Sequence, residues 1–257
     1  MVMPGPDPAG TVRTMALGSA AGTSRSGATA ARGLSPTPMH GDEMVDRIGI
    51  ALQRANVTAV EPGEAFVELL RQRHADDPLR VLQTDFEHAD LPAASFDLAV
   101  AATSWHWVDG PVAVPKVARL LRTGGWLAVW WTVFGDPEQP LTPFRAALDP
   151  LYTRYLPTER DDGRPPAPLR TEQWTTQLRA GDWFGPVSVE MIRWTQTLTP
   201  QSARGLWATF PNVAELDPPA RNGFLDGVGQ AVTDLGETVD DSRVTAVYYT
   251  QKTAHRT

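Results

Sequence analysis

Apolar and polar positions along most of this chain follow a regular order of short apolar segments and longer amphipathic ones. The near-continuous apolar segments are VTAVEP, LRVLQTD, FDLAVAAT and WLAVWWTVF. The stretches between them, GEAFVELLRQRHA and PVAVPKVARLLRTGG among them, place apolar residues at helical spacing. Strands that are apolar on both faces and alternate with amphipathic helices are typical of a parallel sheet covered on both sides. The pattern therefore predicts an α/β fold with a doubly wound, mostly parallel sheet.

The two ends of the chain depart from this pattern. Residues 1–40 are mainly small residues, proline and arginine without a sustained period, which predicts a disordered or irregular segment. The predicted domain spans residues 41–257 and opens with a helix in DEMVDRIGIALQRA. Its proline-rich residues 136–182 predict an inserted helical cap. The segments VSVEMIRWTQTLT and VTAVYYTQK predict late strands at the sheet edge, with the C-terminal one antiparallel.

Composition and charge narrow the possible functions. The 257 residues carry 23 basic and 30 acidic side chains, a net charge of -7, so no nucleic-acid partner is expected. The chain has no cysteine and its five histidines are scattered, so neither thiol chemistry nor a metal site is expected. No apolar run approaches the roughly 20 residues of a membrane span, and no signal-type segment opens the chain. A cytoplasmic protein without a membrane partner is therefore expected.

Acidic residues follow two of the predicted strands. Glu61 ends VTAVEP and Asp85 ends LRVLQTD. Because ligands bind beyond the carboxyl ends of strands in an open parallel sheet, acids at these points face a ligand. A glutamate carboxylate there can accept hydrogen bonds from both hydroxyls of a ribose. Glu61 is thus a candidate for cofactor binding, and a solvated turn acid before a proline is the alternative interpretation.

Three segments in order resemble a known family. VTAVEP, LQTDFEHADLPAASFDLAVAATSWHWVD and VARLLRTGGWLAVWW resemble the class I S-adenosylmethionine-dependent methyltransferases, in the small-molecule, type 11-like branch. The resemblance covers roughly residues 48–252 and implies a Rossmann-like fold that uses S-adenosylmethionine. Asp97 and the pair Gly124-Gly125 also match the family pattern, but they are better explained structurally: the acid binds backbone donors and the glycines allow a left-handed cap that closes the helix.

The resemblance assigns roles around the cofactor. It implies that Glu61 binds the ribose, that the adjacent Pro62 also contacts the cofactor, and that Asp85 accepts a hydrogen bond from the adenine amino group. Phe86 would cover the adenine face. The alternative for Asp85 and Phe86 is a cap or turn acid beside an ordinary core aromatic.

The segment TSWHWVD lies where the family lines the cofactor pocket and begins the acceptor pocket. The resemblance places Ala102 and Thr103 against the cofactor. His106 is a candidate general base because the ordinary pKa of histidine lies near operating pH. In the alternative interpretation, His106 and its neighbours pack against and cap the next helix, with Asp109 as the N-cap.

The tryptophans are candidates for acceptor binding. An aromatic-rich cavity would suit an organic acceptor, and the candidates are Trp105, Trp107 and Trp131. Most of the nine tryptophans are expected in the core, because large aromatic side chains usually are.

The glycine loop of the family is not recognisable. Such a loop, resembling G-x-G-x-G, should lie about 20 residues before Glu61, but that count falls on Gly41, which no apolar strand precedes. Gly18 and Gly22 lie 43 and 39 residues before Glu61, too far for one loop and one helix. Three explanations are open: a replaced N-terminus with a degraded cofactor site, a divergent loop that still binds, or a fold kept as a binding module.

The sequence thus predicts methyl transfer from S-adenosylmethionine to a small organic acceptor. The alternative is a catalytically impaired methyltransferase-fold protein that acts as a binding or interaction module. A nicotinamide-dependent dehydrogenase shares the fold and the ribose acid. It equally needs a glycine loop and does not account for Asp85 or the TSWHW segment, so it ranks lower. The oligomeric state does not follow from the sequence.

Overall fold

A computed structural model describes residues 13–17, 56–76, 79–157 and 165–254, and these form a seven-stranded sheet. The strands are β1 (Arg13–Leu17), β2 (Asn56–Val60), β3 (Leu79–Leu82), β4 (Phe96–Ala102), β5 (Leu121–Phe134), β6 (Ser188–Leu198) and β7 (Val239–Gln251). Their order is β3-β2-β1-β4-β5-β7-β6. The first five strands pair in parallel, and β7 is antiparallel to both of its neighbours. The predicted mostly parallel sheet is confirmed, although the antiparallel C-terminal strand lies second from the edge, inside β6.

Helices connect the strands and form a group in the C-terminal half. They are α1 (Glu64–Arg73), α2 (Gly110–Leu120), α3 (Pro143–Tyr155), α4 (Thr171–Leu178), α5 (Pro200–Trp207), α6 (Pro211–Ala214) and α7 (Pro218–Asp234). A short 3-10 turn at Trp105–Trp107 follows β4. Within the stretches that the structure describes, no helix is both long and apolar enough to cross a lipid bilayer.

The position of β1 corrects the predicted domain boundary. Residues 13–17 were expected in an irregular segment, but they form a central strand that is parallel to β2 on one side and β4 on the other. Met15 and Leu17 are buried there. A strand of five residues is too short to show a period, and it is stabilised by pairing with two neighbours that lie far along the chain. The remainder of residues 1–40 and the helix predicted in DEMVDRIGIALQRA lie outside the described residues.

The described residues form two large hydrophobic cores and a small third cluster of Leu98, Val100 and Ala128. The main core lies between the sheet and helices α2 and α4, and it includes Trp131 and Trp174. The second core joins α3, α5, α6 and α7 to the end of β6 and the start of β7, around Trp207 and Phe224. Because β5, β6 and β7 continue past the end of β4, this second core lies beyond the carboxyl end of the parallel strands. It is the helical cap, and of the insertion predicted at residues 136–182 only α3 joins it.

The junction between α2 and β5 holds β1 in place. A glycine-closed helix was predicted here, but α2 ends at Leu120 and strand pairing begins at the next residue. Gly124 has a positive φ of 79°, which favours glycine. Asp97 accepts a hydrogen bond from the backbone N–H of Arg13 at 2.7 Å and pairs with Arg122 at 2.6 Å. The structural interpretation of Asp97 is therefore confirmed, whereas Gly124 is left-handed but lies four residues after the end of α2 and does not cap that helix.

Candidate functional site

The carboxyl ends of four adjacent parallel strands meet at one edge of the sheet. β1 lies between β2 and β4, so the chain leaves β1 towards one side of the sheet and later crosses to the other. This is the topological switch point, where the crevice of an open α/β sheet receives its ligand. The segments that follow β2, β3 and β4 at this edge contain the predicted cofactor residues Glu61, Asp85, Ala102 and Thr103.

Glu61 directly follows β2 and its side chain is 4% exposed. Its Oε1 accepts a hydrogen bond from the backbone N–H of Gly63 at 2.7 Å, and its own N–H donates to the Leu82 carbonyl at 3.0 Å. A Cβ at position 63 would lie 2.9 Å from the same Oε1, so the turn through Pro62 requires glycine there. Glu61 is therefore a buried, positioned carboxylate and not a solvated turn acid. Its contact with a ribose, like that of Pro62, stays a prediction.

Asp85 and Phe86 begin the turn that follows β3. Asp85 Oδ1 accepts from the backbone N–H of His88 at 2.8 Å and lies 2.6 Å from His88 Nδ1. These two hydrogen bonds, the backbone one first, lower the pKa of Asp85. The Phe86 ring is buried in the main core. Both residues thus have the structural roles given as alternatives, a turn acid and a core aromatic, and their contact with adenine stays a prediction.

Two residues that the sequence did not single out fix this turn to α2. Lys116 Nζ donates to the carbonyls of Glu87 at 3.0 Å and Ala89 at 2.6 Å. Burial is the main cause that lowers the Lys116 pKa. Glu87 Oε1 accepts from the backbone N–H of Asp109 at 2.8 Å, just before α2 begins. The position of Asp85 therefore depends on contacts with a helix that follows later in the chain.

The residues after β4 connect it to β1. Ala102 and Thr103 are exposed, and Thr103 has a positive φ of 54°. Its backbone N–H donates to the Trp130 carbonyl at 2.7 Å. Ser104 is buried and its Oγ donates to the Leu17 carbonyl at 2.7 Å. Ser104, which the sequence analysis missed, thus ties the end of β4 to the last residue of β1; the only sequence signal was a small polar residue directly after an apolar strand.

The residues that follow β1 in the sequence are candidates for the glycine loop. The residues that follow Leu17 in the sequence are Gly18-Ser19-Ala20-Ala21-Gly22. They have glycine at the first and last positions of G-x-G-x-G and alanine at the middle one. A strand, β1, thus directly precedes Gly18, which the sequence analysis had set aside because of its distance from Glu61. Residues 18–55 themselves lie outside the described part of the chain.

His106 lies in the 3-10 turn after β4 and is hydrogen-bonded to Trp131. The indole Nε1–H of Trp131 donates to His106 Nδ1 at 2.9 Å. An indole nitrogen can only donate, so Nδ1 is unprotonated and the proton of the neutral ring is on Nε2. Burial lowers the pKa of His106, which also favours the neutral ring. In this arrangement the other ring nitrogen is a hydrogen-bond donor, and the predicted base role would require loss of the Trp131 contact.

The three predicted acceptor-binding tryptophans differ in exposure. Trp107 is 55% exposed and its ring lies 4.8 Å from that of His106. Trp105 and Trp131 are buried in the main core, where Trp131 packs on Trp174 with ring centroids 4.4 Å apart. The core interpretation therefore holds for Trp105 and Trp131. Only Trp107 presents an aromatic surface, while Trp131 acts on this segment through its hydrogen bond to the histidine.

Within the described ranges, no group of three or more histidine, aspartate or glutamate side chains is arranged to hold a metal ion. The chemistry of the strand-end residues is instead that of hydrogen-bond acceptors for hydroxyl and amino groups, carried by Glu61 and Asp85.

Comparisons with known proteins agree with this arrangement. A family model described as a methyltransferase domain matches residues 45–129. An uncharacterised methyltransferase of Mycobacterium tuberculosis is 29% identical over 175 residues, which is 68% of this chain and 63% of that protein. A second one from the same species is 35% identical over 74 residues, 28% of this chain and 38% of that protein. The chain thus matches less than two thirds of the length of these relatives.

Solved structures share the fold. A protein of Anaeromyxobacter dehalogenans assigned as a type II methyltransferase has a TM-score of 0.55 at 20% identity, with 95% of this chain and 92% of that one covered. A Bacillus halodurans protein assigned as a methyltransferase has a TM-score of 0.50 at 13% identity, with 95% and 94% covered. The family-model match, the relatives and the common fold thus support the resemblance of this chain to the class I S-adenosylmethionine-dependent methyltransferases.

Proposed function

We propose that this chain transfers a methyl group from S-adenosylmethionine to a small organic acceptor. The main support is Glu61, a buried carboxylate that a glycine turn holds at the carboxyl end of β2, beside the central strand. A carboxylate held at this place can accept hydrogen bonds from both hydroxyls of a ribose. The net charge of -7 favours a small-molecule partner over nucleic acid.

The residues at this edge suit the handling of such a cofactor. When bound, S-adenosylmethionine supplies an electrophilic methyl group. In the proposal Glu61 accepts hydrogen bonds from the ribose hydroxyls, Asp85 accepts one from the adenine amino group, and Ala102 and Thr103 line the pocket. Methyl transfer depends mainly on alignment in a pocket from which water is excluded, so positioning alone can supply much of the acceleration. A catalytic base is therefore not required.

The acceptor is proposed to bind beside the turn after β4. Trp107 offers an exposed aromatic surface there. His106 Nε2–H offers a hydrogen-bond donor next to that surface, because Nδ1 is occupied by Trp131. A donor at this place would orient an acceptor oxygen and would not remove its proton. His106 is thus proposed as a residue that positions the acceptor.

One observation favours a second candidate, a methyltransferase fold that has lost catalysis. Position 20, the middle of the glycine pattern after β1, is alanine. In this family the glycines let the backbone approach the cofactor closely, and a Cβ takes up that space. A binding module without turnover would tolerate such a change.

Calorimetric titration with S-adenosylmethionine and S-adenosylhomocysteine distinguishes these functions. We expect binding of both, weakened at least about tenfold in Glu61→Gln, which keeps the shape of the side chain but removes the charge that strengthens its hydrogen bonds. Glu64→Gln is the matched control, since Glu64 is exposed at the start of α1. Absence of binding in a folded sample would contradict the proposal, and equal affinity of the two variants would contradict the role of Glu61.

A further inference from the structure

An exposed phenylalanine lies in the first turn of α1, beside the candidate cofactor edge. Phe66 is 42% exposed, whereas the next residue, Val67, is buried at 1%. No aromatic ring or cationic group of the described residues stacks on the Phe66 ring. A single exposed apolar side chain is common on a protein surface. The position of this ring relative to Glu61 is what distinguishes it.

The Phe66 ring and the Glu61 carboxylate converge on one point next to Gly63. A Cβ added at Gly63 would lie 3.1 Å from Phe66 Cδ2 and 2.9 Å from Glu61 Oε1. These two atoms are thus separated by no more than the sum of the two distances. One turn sets both positions, because the Gly63 N–H donates to Glu61 and the Gly63 carbonyl accepts from the Phe66 N–H at 3.1 Å. A molecule bound to the Glu61 carboxylate is therefore within reach of this ring.

Phe86, the residue predicted to cover adenine, is poorly placed for that role. Its side chain is 4% exposed and belongs to the main core. Lys116 Nζ lies 5.2 Å from its ring centroid, so a cation already lies over the ring. A base can stack only on a ring whose face is accessible. Of the two phenylalanines near the strand-end acids, Phe66 is the exposed one.

The two strand-end acids set the direction of a bound nucleoside. The Glu61 N–H donates to the Leu82 carbonyl, so β2 and β3 end side by side, and Asp85 follows Leu82 by three residues. The hydroxyls of the ribose and the amino group of the base are at opposite ends of an adenosine. An adenosine that contacts both acids therefore has its base between the two strand ends, next to the first turn of α1.

We propose that the ring of Phe66 packs against the adenine base of a nucleoside held at Glu61 and Asp85, and that Phe86 is a core residue without this contact. Phe66 supplies the aromatic surface, and the two acids supply the hydrogen-bond acceptors. The identity of the nucleoside as the adenosine part of the cofactor rests on the proposed function. Packing of the base on Phe66 needs no methyl donor, so adenosine alone can test it.

The contact can be detected directly by NMR. S-adenosylhomocysteine and adenosine are each added to the full chain, deuterated except at phenylalanine, and NOEs are recorded between phenylalanine ring protons and the adenine H2 and H8 protons. We expect these NOEs in the unmodified chain, their loss in Phe66→Leu and their retention in Phe86→Leu. Leucine keeps an apolar side chain at both positions, so the two variants differ in which ring is removed.

Calorimetry measures the size of the effect. Phe66→Ala should weaken the binding of S-adenosylhomocysteine at least about fivefold, because stacking on an aromatic ring stabilises any bound base. Trp126→Ala is the control, since Trp126 is 41% exposed and pairs with the start of β4, at the opposite end of the sheet. That change should leave the affinity unaltered.

The outcomes separate this inference from the proposed function. Adenine NOEs that persist in Phe66→Leu, or that disappear in Phe86→Leu alone, would assign the base to another ring and overturn the inference. Absence of phenylalanine NOEs to both ligands in the unmodified chain, or no binding of either ligand, would also overturn it. Binding of adenosine with the Phe66 contact, but not of S-adenosylhomocysteine, would support the inference and contradict only the proposed function.

Discussion

Glu61 and Asp241, the two most buried acids among the described residues, are held in different ways. Glu61 receives a hydrogen bond from the backbone of Gly63, two residues along the chain. Asp241 is held by the guanidinium of Arg145, 96 residues away, and contacts Arg243. The comparison shows that a turn can place a carboxylate from local sequence, whereas a buried ion cluster exists only when distant elements have packed together.

The turn that contains Asp85 is intermediate between these two cases. Its hydrogen bonds to His88 are local, since the partners are three positions apart in the sequence. The turn itself is fixed by Lys116, which reaches it from α2. The hydrogen bonds to His88 place the acid within the turn. The contacts of Lys116 place the turn at the edge of the sheet.

The largest effect is expected where tertiary packing supplies all the charge partners. Asp241→Asn leaves two buried guanidinium groups without a compensating charge and should lower the free energy of unfolding by about 3–5 kcal/mol. The neighbouring Asp240→Asn is the control, because Asp240 is exposed and bonds to the Thr197 hydroxyl. That change should cost less than about 1 kcal/mol. Denaturant unfolding measures the free energy of unfolding of both variants. Similar losses in Asp241→Asn and Asp240→Asn would show that burial among arginines does not make Asp241 more important for stability.

A smaller loss is expected when the turn of Asp85 is released from α2. Lys116→Met leaves two backbone carbonyls without their donor and should cost about 1–3 kcal/mol of unfolding free energy. It should also weaken S-adenosylhomocysteine binding, since the turn moves with its acid. Lys252→Met is the matched control: Lys252 donates to the Leu121 carbonyl at 2.7 Å, at the opposite end of the sheet. Equal affinities of the two variants for S-adenosylhomocysteine would show that the turn keeps its position without Lys116.

The histidine beside Trp131 should respond to pH in a defined direction. Burial lowers the pKa of His106 in the folded chain, while the unfolded value is about 6.5. Below that pH the unfolded chain binds more protons, so this contribution to stability is complete above about pH 6.5 and is lost as the pH falls through the folded pKa.

The hydrogen bond itself can be tested with Trp131→Phe. This change removes the N–H donor to Nδ1, so the His106 pKa should rise towards its ordinary value in an NMR titration. Trp107→Phe retains the ring contact and should leave the pKa nearly unchanged. An unaltered pKa in Trp131→Phe would contradict the assignment of the proton to Nε2.

The smallest expected change concerns Asp85. His88→Ala removes the side-chain partner of Oδ1 but keeps the backbone N–H of residue 88. The pKa of Asp85, lowered by both contacts, should therefore rise only part of the way towards its ordinary value. NMR titration of the carboxyl carbon measures the change, with the exposed Asp90 as an internal reference. A full return to the ordinary value would mean that the turn itself opens when the ring is removed.

Local periodicity was sufficient to predict most of the secondary structure. The segment PFRAALDPLYTRY coincides with α3, whose N-cap Thr142 accepts from the Arg145 N–H at 3.2 Å. Helical spacing and capping act over a few residues, so they can be read along the chain. β1 could not be found in this way, because its five residues at 13–17 show no period. They form a strand through pairing with β2 and β4.

The same division applies to the candidate site. An acid at the end of an apolar strand, followed by Pro62 and Gly63, was enough to select Glu61. Sequence alone could not separate the exposed Trp107 from the buried Trp105, since one 3-10 turn contains both and packing against α4 and β5 decides which ring is covered. Candidate site residues were thus predictable where a single strand end or turn is enough to place the side chain.

The buried ion contacts of Arg145, Asp241 and Arg243 show what the sequence left to the tertiary structure. Arg243 directly precedes the predicted strand segment VTAVYYTQK, and the sequence did not indicate its partners. Arg243 meets Asp241 because alternate residues of a strand point to the same face. It meets Phe134 and Trp194 because β7 pairs with β5 and β6. The sequence determined the elements and the strand-end acids through local hydrogen bonds and periodicity, and only long-range pairing decided which charges are buried together.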